Sequence, residues 1–246
     1  MSRAWDDEHA AMIERMAADS ELAALTQAWF ERSCRFQYTY HFSWLGRPII
    51  QLPQDIMATQ EIIWEVKPDL IIETGIAHGG SLILWSSLLE LLGGDRQVVG
   101  IDIEIRPENR AAIEAHPLAK RIVMIEGSSI GSEVIDRVRG LASGRKTVMV
   151  MLDSSHTHAH VRQELDLYAP LVTAESYLVV FDTAVEQLPE DFFPNRPWKR
   201  GNSPATAVAE FLRSTDRFIV DRTIERKLMF TVAPGGYLRC VKSITA

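Results

Sequence analysis

The stretch Leu70-Ile71-Ile72-Glu73-Thr74-Gly75-Ile76-Ala77-His78-Gly79-Gly80-Ser81 decides the fold. Aliphatic residues end on an acid, a Gly-x-x-x-Gly loop follows, and an apolar helical stretch over 81–92 comes directly after it. A short strand that is apolar throughout belongs in a sheet covered on both faces, and a strand that feeds a helix opens a βαβ unit. The alternation repeats downstream. Val98-Val99-Gly100-Ile101, Ile122-Val123-Met124-Ile125, Val148-Met149-Val150-Met151-Leu152 and Tyr177-Leu178-Val179-Val180-Phe181 read as further strands, with helices expected over 107–115, 132–141 and 158–168. A helix near 205–213 follows a long polar loop. Strand-like Phe218-Ile219-Val220, Leu228-Met229-Phe230-Thr231-Val232 and, past a Pro234-Gly235-Gly236 turn, Tyr237-Leu238-Arg239-Cys240-Val241 supply the strand pair that closes the sheet. The pattern predicts an α/β fold with a doubly wound, mostly parallel, seven-stranded, Rossmann-like sheet.

Upstream, residues to about Phe30 read as one helix on the spacing of Met12, Ile13, Met16, Leu22 and Leu25. Residues 38–48, rich in rings and broken by Gly46 and Pro48, read either as a loop over the site or as a buried connector. A helix over Pro53–Val66 stops before Pro68. No composition break divides the chain, so residues 1–246 are expected to form a single domain, with 1–66 as an N-terminal helical and aromatic segment packed on the sheet.

Composition excludes several classes. The 246 residues are 46% hydrophobic and 24% charged, enough for one globular domain with a substantial core. A formal charge of -7 without a Lys/Arg stripe argues against nucleic acid as partner. No apolar run reaches the roughly 18 to 20 residues of a membrane span, and the chain opens into an acidic helix rather than a signal peptide, so a cytoplasmic protein is expected. Cys34 and Cys240, far apart, fit neither a disulfide framework nor a cysteine zinc site.

In such a sheet, ligands bind past the carboxyl ends of the strands where the order reverses. Glu73 with its loop, Asp102, Gly127-Ser128-Ser129, Asp153 and Asp182 stand at these ends. Gly75, Gly79 and Ser81 let backbone approach a ligand at a helix N-terminus, and Gly-x-x-x-Gly departs from the dinucleotide Gly-x-Gly-x-x-Gly. An amino-acid cradle fits better than a pyrophosphate cradle, with Glu73 facing the ammonium of a methionine moiety. Asp102 presents two acceptor oxygens to two ribose hydroxyls. Ser128 and Ser129 read equally as contacts to an adenine edge or as a turn and helix cap. Asp153 and Asp182 end adjacent strands about 4.8 Å apart. Two carboxylates so placed either hold a cation, with Mg²⁺ (or Mn²⁺) suited to oxygen ligands, or are solvated strand ends. His156, before a helix that Thr157 caps, suits a general base, since imidazole ordinarily titrates near neutrality. His158 and His160 read as structural or solvated.

These residues carry a resemblance. Ser43-Trp44-Leu45-Gly46-Arg47-Pro48, the run from Lys67 through Ser81, Gly100-Ile101-Asp102-Ile103, Leu152-Asp153-Ser154-Ser155-His156-Thr157-His158, Tyr168-Ala169-Pro170-Leu171-Val172, Asp191-Phe192-Phe193-Pro194 and Arg196-Pro197-Trp198 resemble the cephalosporin hydroxylase/rhamnosyl O-methyltransferase family over nearly all the chain after about residue 35. The resemblance implies a class I methyltransferase fold, S-adenosylmethionine as donor, Mg²⁺, and assembly as a homo-oligomer. Related macrolide-sugar methyltransferases carry an aspartate followed three residues later by a catalytic histidine, matching Asp153 and His156, and a Glu-Asp pair after the fifth strand. Here that pair is Phe181-Asp182, so one metal carboxylate is missing. Catechol-type enzymes place Asp-Asn at a similar point, which makes Thr183 the candidate for a weaker metal oxygen.

The expected activity is methyl transfer to a hydroxyl of a small acceptor, a sugar or glycosylated natural product of the kind modified in antibiotic biosynthesis. Residues 191–202 read as an acceptor lid or a solvated connector. The rivals are a hydroxylase, whose non-haem iron would need a set such as His156, His160 and Asp153, and a non-catalytic donor-binding protein.

Overall fold

The structure is a computed structural model that describes residues 3–243, with side chains from residue 7. Two helices open the chain, α1 (Arg3–Ala17) and α2 (Ser20–Cys34). The single helix expected here is divided at Asp19, whose side chain leaves the helical path to accept from Leu22 N at 2.9 Å and so starts a second helix. Met12 and Leu25, expected on a packed face, are 56% and 62% exposed.

A small hairpin of β1 (Phe42–Trp44) and β2 (Arg47–Ile49) leads into α3 (Pro53–Val66). The alternating core then begins: β3 (Leu70–Thr74), α4 (Gly80–Leu92), β4 (Gln97–Asp102), α5 (Pro107–Glu114), β5 (Ile122–Glu126), α6 (Ser132–Ala142), β6 (Val148–Leu152), α7 (His158–Tyr168) and β7 (Tyr177–Val180). After a long loop come α8 (Pro204–Ser214), β8 (Phe218–Val220), α9 (Arg222–Leu228) and β9 (Tyr237–Cys240).

Seven strands form one sheet in the order β5-β4-β3-β6-β7-β9-β8, parallel from β5 to β7, with β9 antiparallel to β7 and to β8. This is the doubly wound, mostly parallel sheet that the alternation predicts. Side chains leave a strand on alternate faces, and the core divides accordingly. Leu70, Ile72, Val99, Val150 and Val180 pack beneath Val138 of α6, Leu165 of α7 and Phe211 of α8. Ile71, Val98, Met149, Met151 and Val179 pack beneath Ile63 of α3 and Leu84, Trp85 and Leu88 of α4.

The expected strand over 228–232 is absent. Asp221 accepts from Thr223 N at 3.0 Å and starts α9, which ends at Met229 with φ +67°. The residues that follow bond to a buried acid instead of a strand: Val232 N donates to Asp55 Oδ2 at 3.0 Å, and the Thr231 hydroxyl donates to Asp55 Oδ1. Tyr237 Oη also donates to that carboxylate, at 2.6 Å. Burial, partly offset by these hydrogen bonds, pushes Asp55 up to about 6.

Candidate functional site

The order reverses at β3, which lies between β4 and β6. A cleft of about 1010 Å³ opens at the carboxyl ends of these strands. The backbone sets its first half. Gly75 has φ +93°, and a Cβ there would lie 2.1 Å from the Asp153 carbonyl oxygen, so the loop after β3 can approach β6 only as glycine. Gly75 N donates to Ile101 O at 2.7 Å and Asp153 N to Thr74 O at 2.9 Å, tying three strand ends together. Asp102 Oδ2 accepts from Ile76 N at 2.8 Å and Ala77 N at 3.2 Å. Asp102 lines the cleft, as do Gly75, Ser81, Ser128 and Ser129.

A clamp that the sequence did not signal supports this loop. Arg47 donates to His78 O at 3.0 and 2.5 Å and to Asn109 Oδ1 at 3.0 Å, while Asn109 Nδ2 donates to Ala77 O at 2.9 Å. Only the Gly46-Arg47-Pro48 break pointed there.

Two donor-site expectations change. Glu73 shares a face with Ile71, so period two aims it beneath α4 instead of into the cleft. It is fully buried with Ser81 and Trp85 as its polar neighbours, and it does not line the cleft. Burial pushes it up to about 8, against the lowering effect of Ser81 and Trp85, and its place away from the cleft keeps it from facing an ammonium there. Gly79, with φ +81°, caps α4 but stands behind the wall, its missing Cβ replaced by Ile113. Ser129 Oγ lies 3.0 Å from His160 Nε2, and the Ser129 carbonyl accepts from Tyr168 Oη at 2.7 Å. Gly131 N bonds to Ser128 O at 2.9 Å, so the pair forms a turn, and neither residue caps α6, whose cap position is Gly131.

The second half gathers side chains. Asp153 follows β6, and Asp182 follows β7 with φ +55°, a left-handed conformation that aspartate tolerates better than most residues. Asp153, His156 and Asp182 each offer one ligand atom within 4.8 Å of the others, and His156 Nε2 lies 3.2 Å from Asp182 Oδ2. Withdrawal from water, then the carboxylates of Asp182, Glu73, Glu164 and Asp55, raise Asp153 well above the usual range. Phe181 is 1% exposed in the apolar layer with Val179 and Tyr177, so that position serves the core. Thr183, the expected weaker metal oxygen, does not join the group: it is 1% exposed, donates to Pro234 O at 2.7 Å and does not line the cleft. The third residue beside the two aspartates is His156, whose Nε2 faces Asp182.

His158 and His160 are held elsewhere. His158 meets Thr206 Oγ1 at 2.8 Å and Glu210 at 3.2 Å; His160 meets Ser129, Ser154 and, at 3.5 Å, Glu164. A His156/His160/Asp153 iron set is therefore not assembled. Thr157 occupies the cap position of α7 without a side-chain capping bond, and Asn202 Oδ1 accepts from His158 N at 3.0 Å in its place. Asn202 belongs to the segment 191–202, which turns over the cleft: Trp198 meets the His156 ring edge-on at 4.8 Å, and the Arg196 guanidinium lies 5.0 Å from the Trp198 ring. Phe192, Phe193, Arg196 and Trp198 form one wall, with Phe30 and Tyr38 also lining the cleft.

A doubly wound sheet with a glycine loop, Asp102 at the next strand end and an acid-imidazole group at its carboxyl edge fits the class of S-adenosylmethionine-dependent O-methyltransferases. The comparisons agree. The family model for Rhamnosyl O-methyltransferase/CmcI matches residues 36–241, and the chain belongs to that family. The Mycobacterium leprae protein named Rhamnosyl O-methyltransferase is 29% identical over 198 residues, 80% of this chain and 82% of that protein. The Mycobacterium bovis protein of the same name is 29% identical over 191 residues, 75% and 72% of the two chains. Among solved structures, cmcI with Mg and SAM shares the fold at TM-score 0.58 and 19% identity, covering 82% of this chain and 78% of that one. An O-methyltransferase from Bacillus cereus in complex with SAH shares it at TM-score 0.52 and 14% identity, with 90% of each chain covered.

Proposed function

We propose that the enzyme methylates a hydroxyl of a small polyhydroxylated acceptor, a sugar or a glycosylated natural product, beside a divalent metal. The observation that carries this reading is the Asp153, His156 and Asp182 group, standing in the same cleft as the glycine loop and Asp102. The donor set fits Mg²⁺ or Mn²⁺: two carboxylates whose mutual repulsion a cation relieves, with positions left for hydroxyls. The names of the relatives and the Mg and SAM of the cmcI structure support the same choice.

Asp102 and the loop at Gly75 and Ser81 hold the donor. Asp153 and Asp182 would hold the metal, which would supply Lewis-acid assistance to deprotonation of the acceptor hydroxyl. His156 accepts the hydroxyl proton as the oxygen attacks the sulfonium methyl of the donor, the S–CH3 bond breaks and neutral S-adenosylhomocysteine leaves, and Asp182 Oδ2, 3.2 Å from the ring, stabilises the imidazolium that forms. Trp198 fixes the ring by its edge-on contact, and Phe192 and Phe193 keep water from the acceptor side.

A panel of glycosides and nucleotide sugars, read by release of S-adenosylhomocysteine, tests this reading. Turnover is expected with at least one hydroxylated acceptor, lost in excess EDTA and in Asp182→Asn and restored to the parent by added Mg²⁺ or Mn²⁺. Full turnover in EDTA overturns the metal assignment.

A further inference from the structure

Between β2 and α3 the chain carries Gln51, which is 2% exposed, lines the cleft, and leaves both Oε1 and Nε2 without a hydrogen-bond partner among the described residues. A buried carboxamide normally finds partners for its donor and its acceptor. One with none, on the wall of a cavity, is waiting for a ligand that supplies both.

Its place in the fold says which ligand. A Cβ on Gly80 would lie 2.2 Å from Pro48 O and 2.7 Å from Ile49 Cα, so the end of β2 packs on the first turn of α4. Two residues of extended chain span at most about 7 Å, which keeps Gln51 beside that turn. Leu52 already packs with Ala184 and Leu188 beyond β7. Gln51 thus stands where the donor half meets the reaction centre, next to backbone N–H groups that favour an anion. The acid expected to complete this corner, Glu73, is turned away beneath α4.

We propose that Gln51 reads the amino-acid end of the methyl donor, Oε1 accepting from its ammonium and Nε2 donating to its carboxylate. The two charged groups of an α-amino acid sit on one carbon, as the acceptor and donor of a carboxamide do, and both hydrogen bonds are charge-assisted. A neutral side chain meets both charges, whereas a carboxylate in its place would repel one of them. The inference rests on the donor reading above and assigns the role there expected of Glu73 to a different residue.

The test compares two probes by calorimetry: S-adenosylhomocysteine, and 5′-methylthioadenosine, which keeps the nucleoside and lacks the amino-acid end. Gln51→Leu is expected to weaken S-adenosylhomocysteine about 10- to 100-fold, the size of losing hydrogen bonds to charged groups, with 5′-methylthioadenosine within about twofold of the parent. Retained binding of the second probe shows that the site is folded. If Gln51→Leu loses both probes, Gln51→Met decides. Selective loss of S-adenosylhomocysteine in that variant supports the assignment, and equal loss of both overturns it in favour of space-filling. Unchanged S-adenosylhomocysteine affinity with a raised acceptor KM also overturns it, placing Gln51 on the acceptor. A parent that binds neither probe sinks the donor reading itself.

Discussion

In the half of the cleft proposed for the donor, close backbone approach at Gly75 is reinforced by the side chains of Asp102, Arg47 and Asn109, whereas the half proposed for the acceptor is built from side chains. At Gly75 itself the hydrogen bond is N–H to C=O between adjacent strand ends, and a single Cβ would meet the Asp153 carbonyl. Around His156 the neighbours are Asp182, reached along the chain by way of α7 and β7, and Trp198, which is brought in by a loop that Asn202 anchors to α7. Main-chain geometry at Gly75 tolerates little change, because its φ of +93° disfavours a Cβ. Side-chain packing tolerates more change: Phe181 lies in the core, and Asp153, His156 and Asp182 come together from two strand ends.

The sharpest break between the halves falls at His156. As the base, His156→Ala is expected to lower kcat by about 10²- to 10⁴-fold while S-adenosylhomocysteine affinity stays within about twofold. Steady-state kinetics and calorimetry measure the two. Recovery of activity with excess Mg²⁺ or Mn²⁺ would make it a metal ligand instead, and a matching fall in donor affinity would erase the division between the halves.

The same division governs what the sequence discloses. The strands from β3 to β7 and their crossover helices are legible because apolar runs and helix periodicity are local signals. The ends of those strands then place Asp102, Asp153 and Asp182 on one edge without knowledge of any side chain. Glu73 shows the limit. Its position at a strand end is legible, but which face it takes depends on one step of period two. Thr183 fails similarly, because its partner Pro234 is fifty-one residues away. The strand expected at 228–232 is apolar enough, yet Asp55, far upstream, claims its hydrogen bonds. Asn109 and Gln51 carry no motif: their roles arise only when the hairpin of β1 and β2 packs on the loop after β3.

Two glycines measure the contrast in stability. Gly75→Ala combines a left-handed backbone with a Cβ pressed on a carbonyl, and is expected to cost about 2 to 4 kcal/mol together with most of the donor affinity. Gly201, with φ +82° in the segment over the acceptor side, has nothing within 4 Å of where a methyl would stand, so Gly201→Ala bears only the backbone cost of about 1 kcal/mol. Chemical denaturation of both variants checks the ranking. Equal losses would show that the acceptor segment is as tightly determined as the donor loop.

Glu73→Gln has the smallest expected effect on binding, and it separates proximity to the donor from contact with it. Glu73 lies in the strand that feeds the donor loop, but the carboxyl is buried away from the cleft. S-adenosylhomocysteine affinity is therefore expected to stay within about twofold at pH 7, where an acid facing the ammonium would cost tenfold or more. The variant should register in stability instead. Burial raises the folded carboxyl from 4.5 to about 8, so over that window the folded chain keeps a proton that the unfolded chain releases. The unfolded state then binds fewer protons, and stability falls as pH rises from about 4.5 to about 8. Glutamine has no such proton to lose. Thermal scans between pH 5 and pH 8 should show the variant gaining on the parent as pH rises, the gap closing towards the acid end. A gap that is flat with pH would mean that Glu73 is ionised in the fold, and with it a tenfold loss of donor affinity would return the ammonium to Glu73 and remove it from Gln51.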